Sequence, residues 1–305
     1  MTVTTRTSAR ARWYKTSKRL APFAYLSPTL VLLTILSLIP IVMVFYYSLM
    51  DNVVMNPDPV FVGLKNYVEI LTDDVFHTAL FNTLYFTLMS VIFHLIIGLS
   101  FAMLLNTDAI NPFTKALFRV IYILPWVFTA SIIAILWRLM LNPNGVINYL
   151  LEWSGLISQK IEWLGSRQVA LHAVTFINIW SGYPFYMVSL LAGLQGIPND
   201  MYEAGTIDGA NKQQLFRFIT LPQLRPIIIS LAMLDFIWTM QQFTLIWMTT
   251  GGGPIRATEV LSTLTYKMAF SSYEFSLASA NAFVILALSL FVAYFYVRHQ
   301  GATNE

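Results

Sequence analysis

The sequence predicts an all-α membrane protein with six transmembrane helices and both termini cytoplasmic. Three observations carry that expectation: the composition, six apolar runs of spanning length, and the placement of lysine and arginine. Of the 305 residues, 57% are hydrophobic and 11% charged, with a mean hydropathy of +0.64. Soluble domains carry roughly 25% charged residues. This chain therefore has too little charge to solvate a compact surface, and a bilayer is the missing solvent. One membrane domain is expected rather than two soluble ones. Cysteine is absent, which excludes a disulfide framework, a thiolate metal site and a cysteine nucleophile.

A helical span needs roughly 20 mostly apolar residues to cross about 30 Å of hydrocarbon. The qualifying segments are 22–50, 78–105, 116–140, 169–194, 223–249 and 276–297. Each is too long for a barrel strand and lacks period-2 alternation, which leaves helices. The interior prolines Pro40, Pro125 and Pro184 are tolerable where neighbouring helices satisfy the freed carbonyls. The loops 51–77, 141–168 and 250–275 are long enough to hold short helices. Trp153 and Trp163 suit interfacial anchoring.

Residues 1–21 form a basic leader carrying Arg6, Arg10, Arg12, Lys15, Lys18 and Arg19. The apolar run behind it exceeds the roughly 7–15 residues of a cleavable signal, so it reads as a retained first span. The six-span domain is then 22–298, and 299–305 is a cytoplasmic tail. With the leader inside, the inner side also holds Lys115, Arg119, Lys212, Arg217, Arg225 and Arg298. The outer side holds Lys65, Lys160, Arg167, Arg256 and Lys267. Twelve cations against five orient the chain by the positive-inside bias. Arg138, near a span end, is expected to snorkel to the outer interface.

The inner loop 199–222 is expected to be two short helices about a turn. Asp200 with Glu203, and Asn211 with Gln214, each fit a capping box. Gly209 lies between them, where a left-handed residue ends a helix. Pro222 is expected to stop the second helix.

These residues also resemble a known family. Glu203-Ala204-Gly205, then Asp208-Gly209, then Ile219-Thr-Leu221-Pro222, is similar to the EAA motif of permease subunits of bacterial ABC importers. The motif's third position, usually alanine, is Gly205 here, at a helix-propensity cost of roughly 1 kcal/mol. Phe61-Val-Gly63-Leu64-Lys-Asn66-Tyr67, Ala192-Gly193-Leu194-Gln195 before Ile197-Pro198, and Thr250-Gly-Gly-Gly-Pro254 look like elements of its carbohydrate-type members. The resemblance implies a type I ABC importer permease fold in the bacterial cytoplasmic membrane, in contact with lipid. It implies as partners a second permease subunit, an ATPase dimer using ATP and Mg, an extracytoplasmic binding protein and a sugar. The loop would seat in the ATPase and transmit its closure.

Polar groups inside spans are costly and often functional. Asp235, Trp238, Thr239 and Gln242 recur at i, i+3, i+4 and i+7, one stripe of a continuous helix. A carboxylate, an amide and a hydroxyl beside an indole suit a sugar's hydroxyls and its C–H face. The resemblance aligns this stripe, with Ser181, Gly182 and Phe185 of the fourth span, with substrate-contacting positions in maltose-type permeases. The alternative is that Asp235 and Gln242 bond only to neighbouring helices and Trp238 only packs. His94 and Asn178 read as internally bonded structural groups.

No phosphate loop, H-E-x-x-H or G-x-S-x-G occurs in the chain, so neither ATP hydrolysis by this chain nor an intramembrane hydrolase has sequence support. It is read as binding no cofactor or metal, contacting no nucleic acid and not being an enzyme. A stand-alone secondary transporter would carry internal repeats and paired broken helices, and neither is evident. A permease for a non-sugar solute such as glycerol phosphate is the other alternative.

Overall fold

The structure is a computed structural model and describes residues 21–107 and 109–303. The basic leader's arginines and lysines lie outside these residues, as do the last two residues of the tail. In chain order the helices are α1 (Ala21–Ser48), α2 (Lys65–Thr72), α3 (Asp74–Asn106), α4 (Pro112–Val127), α5 (Ala130–Met140) and α6 (Val146–Trp153). They continue with α7 (Ala170–Gln195), α8 (Asn199–Ile207), α9 (Lys212–Met240), α10 (Thr244–Thr249), α11 (Leu261–Phe270) and α12 (Phe275–Thr303). Among the described residues the only β pairing is an isolated bridge between Met50 and Phe61.

Four helices, α1, α3, α9 and α12, are both long and apolar enough to cross a membrane. The predicted third span is not one straight helix: α4 and α5 meet at 98°. Its signals were local. Pro125 lies two residues before the end of α4, and Thr129 caps α5 by accepting from the Ile132 N–H at 3.5 Å. The predicted fourth span is α7, long enough at 26 residues but less apolar, with half of its residues buried. A helix wrapped by others need not be apolar on every face.

The predicted fifth span also differs at both ends. It begins at Lys212, so Pro222 does not stop the second loop helix, which runs on as α9. A π-helical stretch, Phe216–Thr220, immediately precedes the proline. In α1 a second such stretch, Thr34–Leu38, precedes Pro40 in the same way. Proline lacks an N–H and crowds the carbonyl four residues back, and the wider π turn absorbs that misfit. At its far end α9 stops at Met240, and the chain re-enters a helix only at Thr244.

Helices α3 and α7 form the central seam. Ser90 faces Asn178, His94 faces Gly182 and Gly98 faces Tyr186, successive turns at a constant offset of 88 residues. Numbering that rises together on both sides means the two helices run parallel. A Cβ on Gly98 would stand 2.4 Å from the Tyr186 Cβ and 2.9 Å from the Met187 nitrogen. Small residues at such crossings let helices approach closely where lipid gives no hydrophobic drive. Ala102, Leu105, Met187, Leu190 and Leu194 extend the contact, and Leu224 and Leu231 of α9 close it.

The remaining elements brace this frame. Asn66 donates to the Ser48 and Met50 carbonyls, and the Tyr67 hydroxyl meets Ser48 Oγ at 2.6 Å. The Gly-Leu-Lys-Asn-Tyr element thus clamps α2 to the end of α1. Fully buried Asn148 ties together the loops on either side of α6, donating to the Pro143 and Ile161 carbonyls and accepting from Trp163 Nε1 at 3.0 Å. Trp163 is therefore tied into the protein, whereas Trp153 is exposed. In the Thr-Gly-Gly-Gly-Pro loop, Gly251 and Gly252 take positive φ. There Gly252 packs against the Glu259–Lys267 ion pair. Arg138 donates to the Met248 carbonyl at 3.3 Å, fastening α5 to α10.

Replacing Gly98 by Ala should strain the seam, because its new Cβ meets another Cβ and a backbone nitrogen. A loss of about 1–3 kcal/mol is expected, read as a lowered thermal unfolding midpoint of the detergent-solubilised protein.

Candidate functional site

A cavity of about 290 Å³ opens where the two broken helices face each other. Its wall includes Pro125, Trp126 and Phe128 from the α4–α5 break, Ser181, Gly182 and Phe185 from α7, and Asp235, Trp238 and Thr239 from α9. Gln242, in the gap between α9 and α10, completes it with His94 of α3. All seven residues picked out from the sequence line this one space. Gln242 reaches it differently from the expected stripe, because α9 has ended before it. Its N–H bonds back to the Thr239 carbonyl at 3.1 Å, and its own carbonyl is met by Ser262 Oγ at 2.8 Å. The absence of paired broken helices, expected from the sequence, is also corrected: two breaks face one cavity.

The polar groups are not equally available. Asp235 is buried, with Oδ2 2.8 Å from His94 Nδ1 and Oδ1 accepting from Thr239 Oγ1 at 2.9 Å. The other ring nitrogen, His94 Nε2, lies 3.0 Å from the Asn178 carbonyl oxygen. A carbonyl can only accept, so Nε2 carries a proton. Gly182 makes room for this ring, since a Cβ there would lie 2.2 Å from Nε2. Asn178 is held in turn by donating to Ser90 Oγ at 2.9 Å. By contrast, no side-chain hydrogen bond engages the Gln242 amide among the described residues.

One wall is aromatic. Trp126, Phe185 and Trp238 form a row with ring centroids 6.0 and 5.7 Å apart. Trp126 and Trp238 are 54% and 58% exposed, so their faces are open to the space. Trp126 and the His94–Asp235 contact were not picked out from the sequence. The signal for Trp126 was Pro125 followed by the cap at Thr129, which together mark a break. His94 and Asp235 are 141 residues apart, and nothing local links them.

The second region is the corner between α8 and α9. Asn211 and Gln214 form the expected capping box, with reciprocal bonds of 2.9 and 2.8 Å. The first expected box does not form: α8 starts at Asn199 after Pro198, which places Asp200 inside the first turn. Gly209 has φ +82°, with Ala210 N–H bonded to the Gly205 carbonyl and Gly209 N–H to that of Thr206. That pair of bonds is the left-handed helix stop expected of glycine. Tyr202 OH meets Thr220 Oγ1 at 2.9 Å and braces α8 on the π turn of α9. Gly205 sits at the closest approach, where a Cβ would meet Leu215 Cδ2 at 2.7 Å and Ile219 Cδ1 at 3.1 Å. Glu203, Ala204 and Asp208 face outward, with Ile207 86% exposed beside them. Leu221 and Pro222 are also exposed.

Residues 94–302 match the model of the binding-protein-dependent transport system inner membrane component family. The chain belongs to that family. The match opens at His94 and takes in the rest of the seam from there, both breaks and the α8–α9 corner. Among its relatives, a trehalose/maltose transport system permease protein of Thermococcus litoralis is 35% identical over 93% of this chain and 96% of its own. A sulfoquinovosyl glycerol transport system permease protein of Agrobacterium fabrum is 32% identical over 94% and 92%. In three dimensions the chain superposes on one from a bacterial ABC transporter that imports the acidic polysaccharide alginate. The TM-score is 0.79 at 24% identity, covering 94% of this chain and 99% of that one. The family is one of transport permeases rather than enzymes, and the permease fold accounts for the all-helical architecture.

Removing the Tyr202 hydroxyl (Tyr202→Phe) deletes a bond worth about 1 kcal/mol. Hydrogen exchange across Asn199–Ile207 should quicken severalfold, while exchange in α3 and α7 stays unchanged.

Proposed function

We propose that the chain is the permease subunit of an ATP-driven carbohydrate importer, forming half of the pathway and taking its drive through the α8–α9 corner. The observation that carries this reading is the continuity of α9. Its 29 residues run unbroken from the corner to Asp235 and Thr239 in the cavity, roughly 43 Å at 1.5 Å per residue. A displacement applied at one end of such a rod reaches the other.

The corner suits docking in a groove of an ATPase subunit. Its inward face is locked by Tyr202, Gly205 and the capping box, and its outward face presents Glu203, Ala204, Ile207 and Asp208 without a partner among the described residues. ATP, with Mg, is used in that partner. Closure of the ATPase pair would tilt α9 and change the gap at Gln241–Phe243. The cavity would then alternate in access between the two sides of the membrane. A second permease completes the wall, and an extracytoplasmic binding protein delivers the ligand.

Six crossings with both termini cytoplasmic suit the parallel course of α3 and α7. The chain between them must return from one end of the seam to the other, and the bent α4–α5 pair is the only helical path among the described residues. Residues 1–21 and the end of α12 then share the inner side of a bacterial cytoplasmic membrane.

A sugar suits the cavity. The Gln242 amide offers hydrogen bonds, and the Ser181 and Thr239 hydroxyls, which donate to Asn178 and Asp235, offer lone pairs. The row of Trp126, Phe185 and Trp238 offers flat apolar faces to a pyranose. The trehalose/maltose relative supports the same class.

Glu203→Lys should uncouple the importer while the chain still inserts and assembles. Uptake should fall roughly tenfold or more, the scale of a lost coupling of 1–3 kcal/mol, and ATP hydrolysis should no longer respond to liganded binding protein. Unchanged uptake would remove the docking assignment. Gln242→Leu deletes a neutral hydrogen bond of about 1 kcal/mol and should raise the half-saturating sugar concentration severalfold without lowering assembly. Ordinary saturation behaviour in that variant would exclude Gln242 from the binding wall.

A further inference from the structure

We infer that this half of the pathway accepts neutral carbohydrates and rejects acidic ones, because His94 and Asp235 share one proton and cancel each other's charge. This rests on the carbohydrate reading above and narrows it. Among the described lining residues, His94 and Asp235 are the only ionisable pair; every other side chain is aromatic, apolar, hydroxyl or amide.

The proton count follows from geometry. His94 Nε2 donates to the Asn178 carbonyl, so that proton is fixed. At 2.8 Å, Nδ1 and Asp235 Oδ2 attract only if a proton lies between them; without it, two lone pairs would face each other. With the proton on the ring, an imidazolium faces a carboxylate. With the proton on the acid, a neutral imidazole faces a carboxyl. Both forms carry zero net charge. Thr239 Oγ1 donates to the remaining carboxyl oxygen in either case. Tyr186, with its ring 5.9 Å from that of His94, is the other titratable group packed against the pair.

The consequence for a ligand is direct. A uronate, sulfonate or phosphate entering this wall meets no free cation, and burying an unpaired anion costs several kcal/mol. A neutral sugar loses nothing comparable, because its hydroxyls find the Gln242 amide and Ser181. His94 acts here as a positioning residue: it touches Asp235 rather than the ligand, and it sets the charge that the ligand meets. The likeness to an alginate transporter is one of fold and does not carry acidic selectivity to this cavity.

The test uses the complete importer, with its second permease, ATPase and binding protein, in proteoliposomes supplied with ATP. Uptake of labelled neutral gluco-oligosaccharides is compared with that of uronic-acid oligosaccharides of equal length. A preference of roughly tenfold or more for the neutral series is expected. Transport of the acidic series at an equal or greater rate overturns the inference while leaving the carbohydrate reading intact. Transport of neither, with ATP hydrolysis stimulated by another ligand class, removes both. His94→Gln leaves Asp235 as an uncompensated buried carboxylate. Neutral-sugar uptake should fall roughly tenfold or more at neutral pH and recover in part at low pH, as that carboxylate takes up a proton. Adding Asp235→Asn to the same chain restores neutrality and should recover uptake at either pH. A structural staple alone predicts no such pH dependence, and wild-type uptake by His94→Gln at every pH would overturn the assignment.

Discussion

The rest of this structure depends on the close parallel contact of α3 and α7. Three successive turns meet at one register, and the pairs differ in kind: Ser90 with Asn178 is polar, His94 with Gly182 places a ring in a notch, and Gly98 with Tyr186 is packing. Glycine appears on opposite helices in the last two, so each helix yields space where the other is bulky. That exchange fixes the rotation of both helices about their axes. It thereby decides that the His94 ring points at α9, and that Ser181 and Phe185 face the cavity.

Around this seam the chain departs from regular helix where proline or polar residues require it, and each departure is compensated locally. The π turns precede Pro40 and Pro222. The freed carbonyl of Gln242 accepts a hydrogen bond from Ser262 Oγ, and the Gln241 side-chain amide donates to Ser289 Oγ at 3.2 Å. Unsatisfied backbone is costly away from water. At the α9–α10 break another helix supplies the hydroxyl, and at the α4–α5 break Thr129 caps the new helix from within the chain's own turn.

Much of this was legible in the sequence. The long apolar runs at α1, α3 and α12 needed only composition and length. The corner at Gly209 was readable because left-handed glycine and the Asn211–Gln214 box are local chemistry. Polar residues clustered near the end of the fifth span marked the cavity wall even though the helix containing most of them stops before Gln242. What escaped was set at long range or by competing local signals. Pro125 reads as a tolerated interior proline, although Thr129 can cap a new helix four residues on. Pro222 reads as a stop, because a π turn leaves no plain mark in sequence. The His94–Asp235 pair joins residues 141 positions apart, and only the register of the seam aims one at the other. The matched family stretch covers Pro125, Pro222, His94 and Asp235 and places none of them in space.

Gly205 has a consequence for how such permeases can be recombined. The surfaces of α8 and α9 are cut to one another at that point, with Leu215 and Ile219 filling the volume that a methyl group would claim. The corner is thus a single inherited unit, and grafting α8 from a permease with alanine there would import a side chain without the smaller neighbours that make room for it. A chimera that exchanges this corner must carry residues 199–222 together, because the glycine and its two neighbours form one fitted joint.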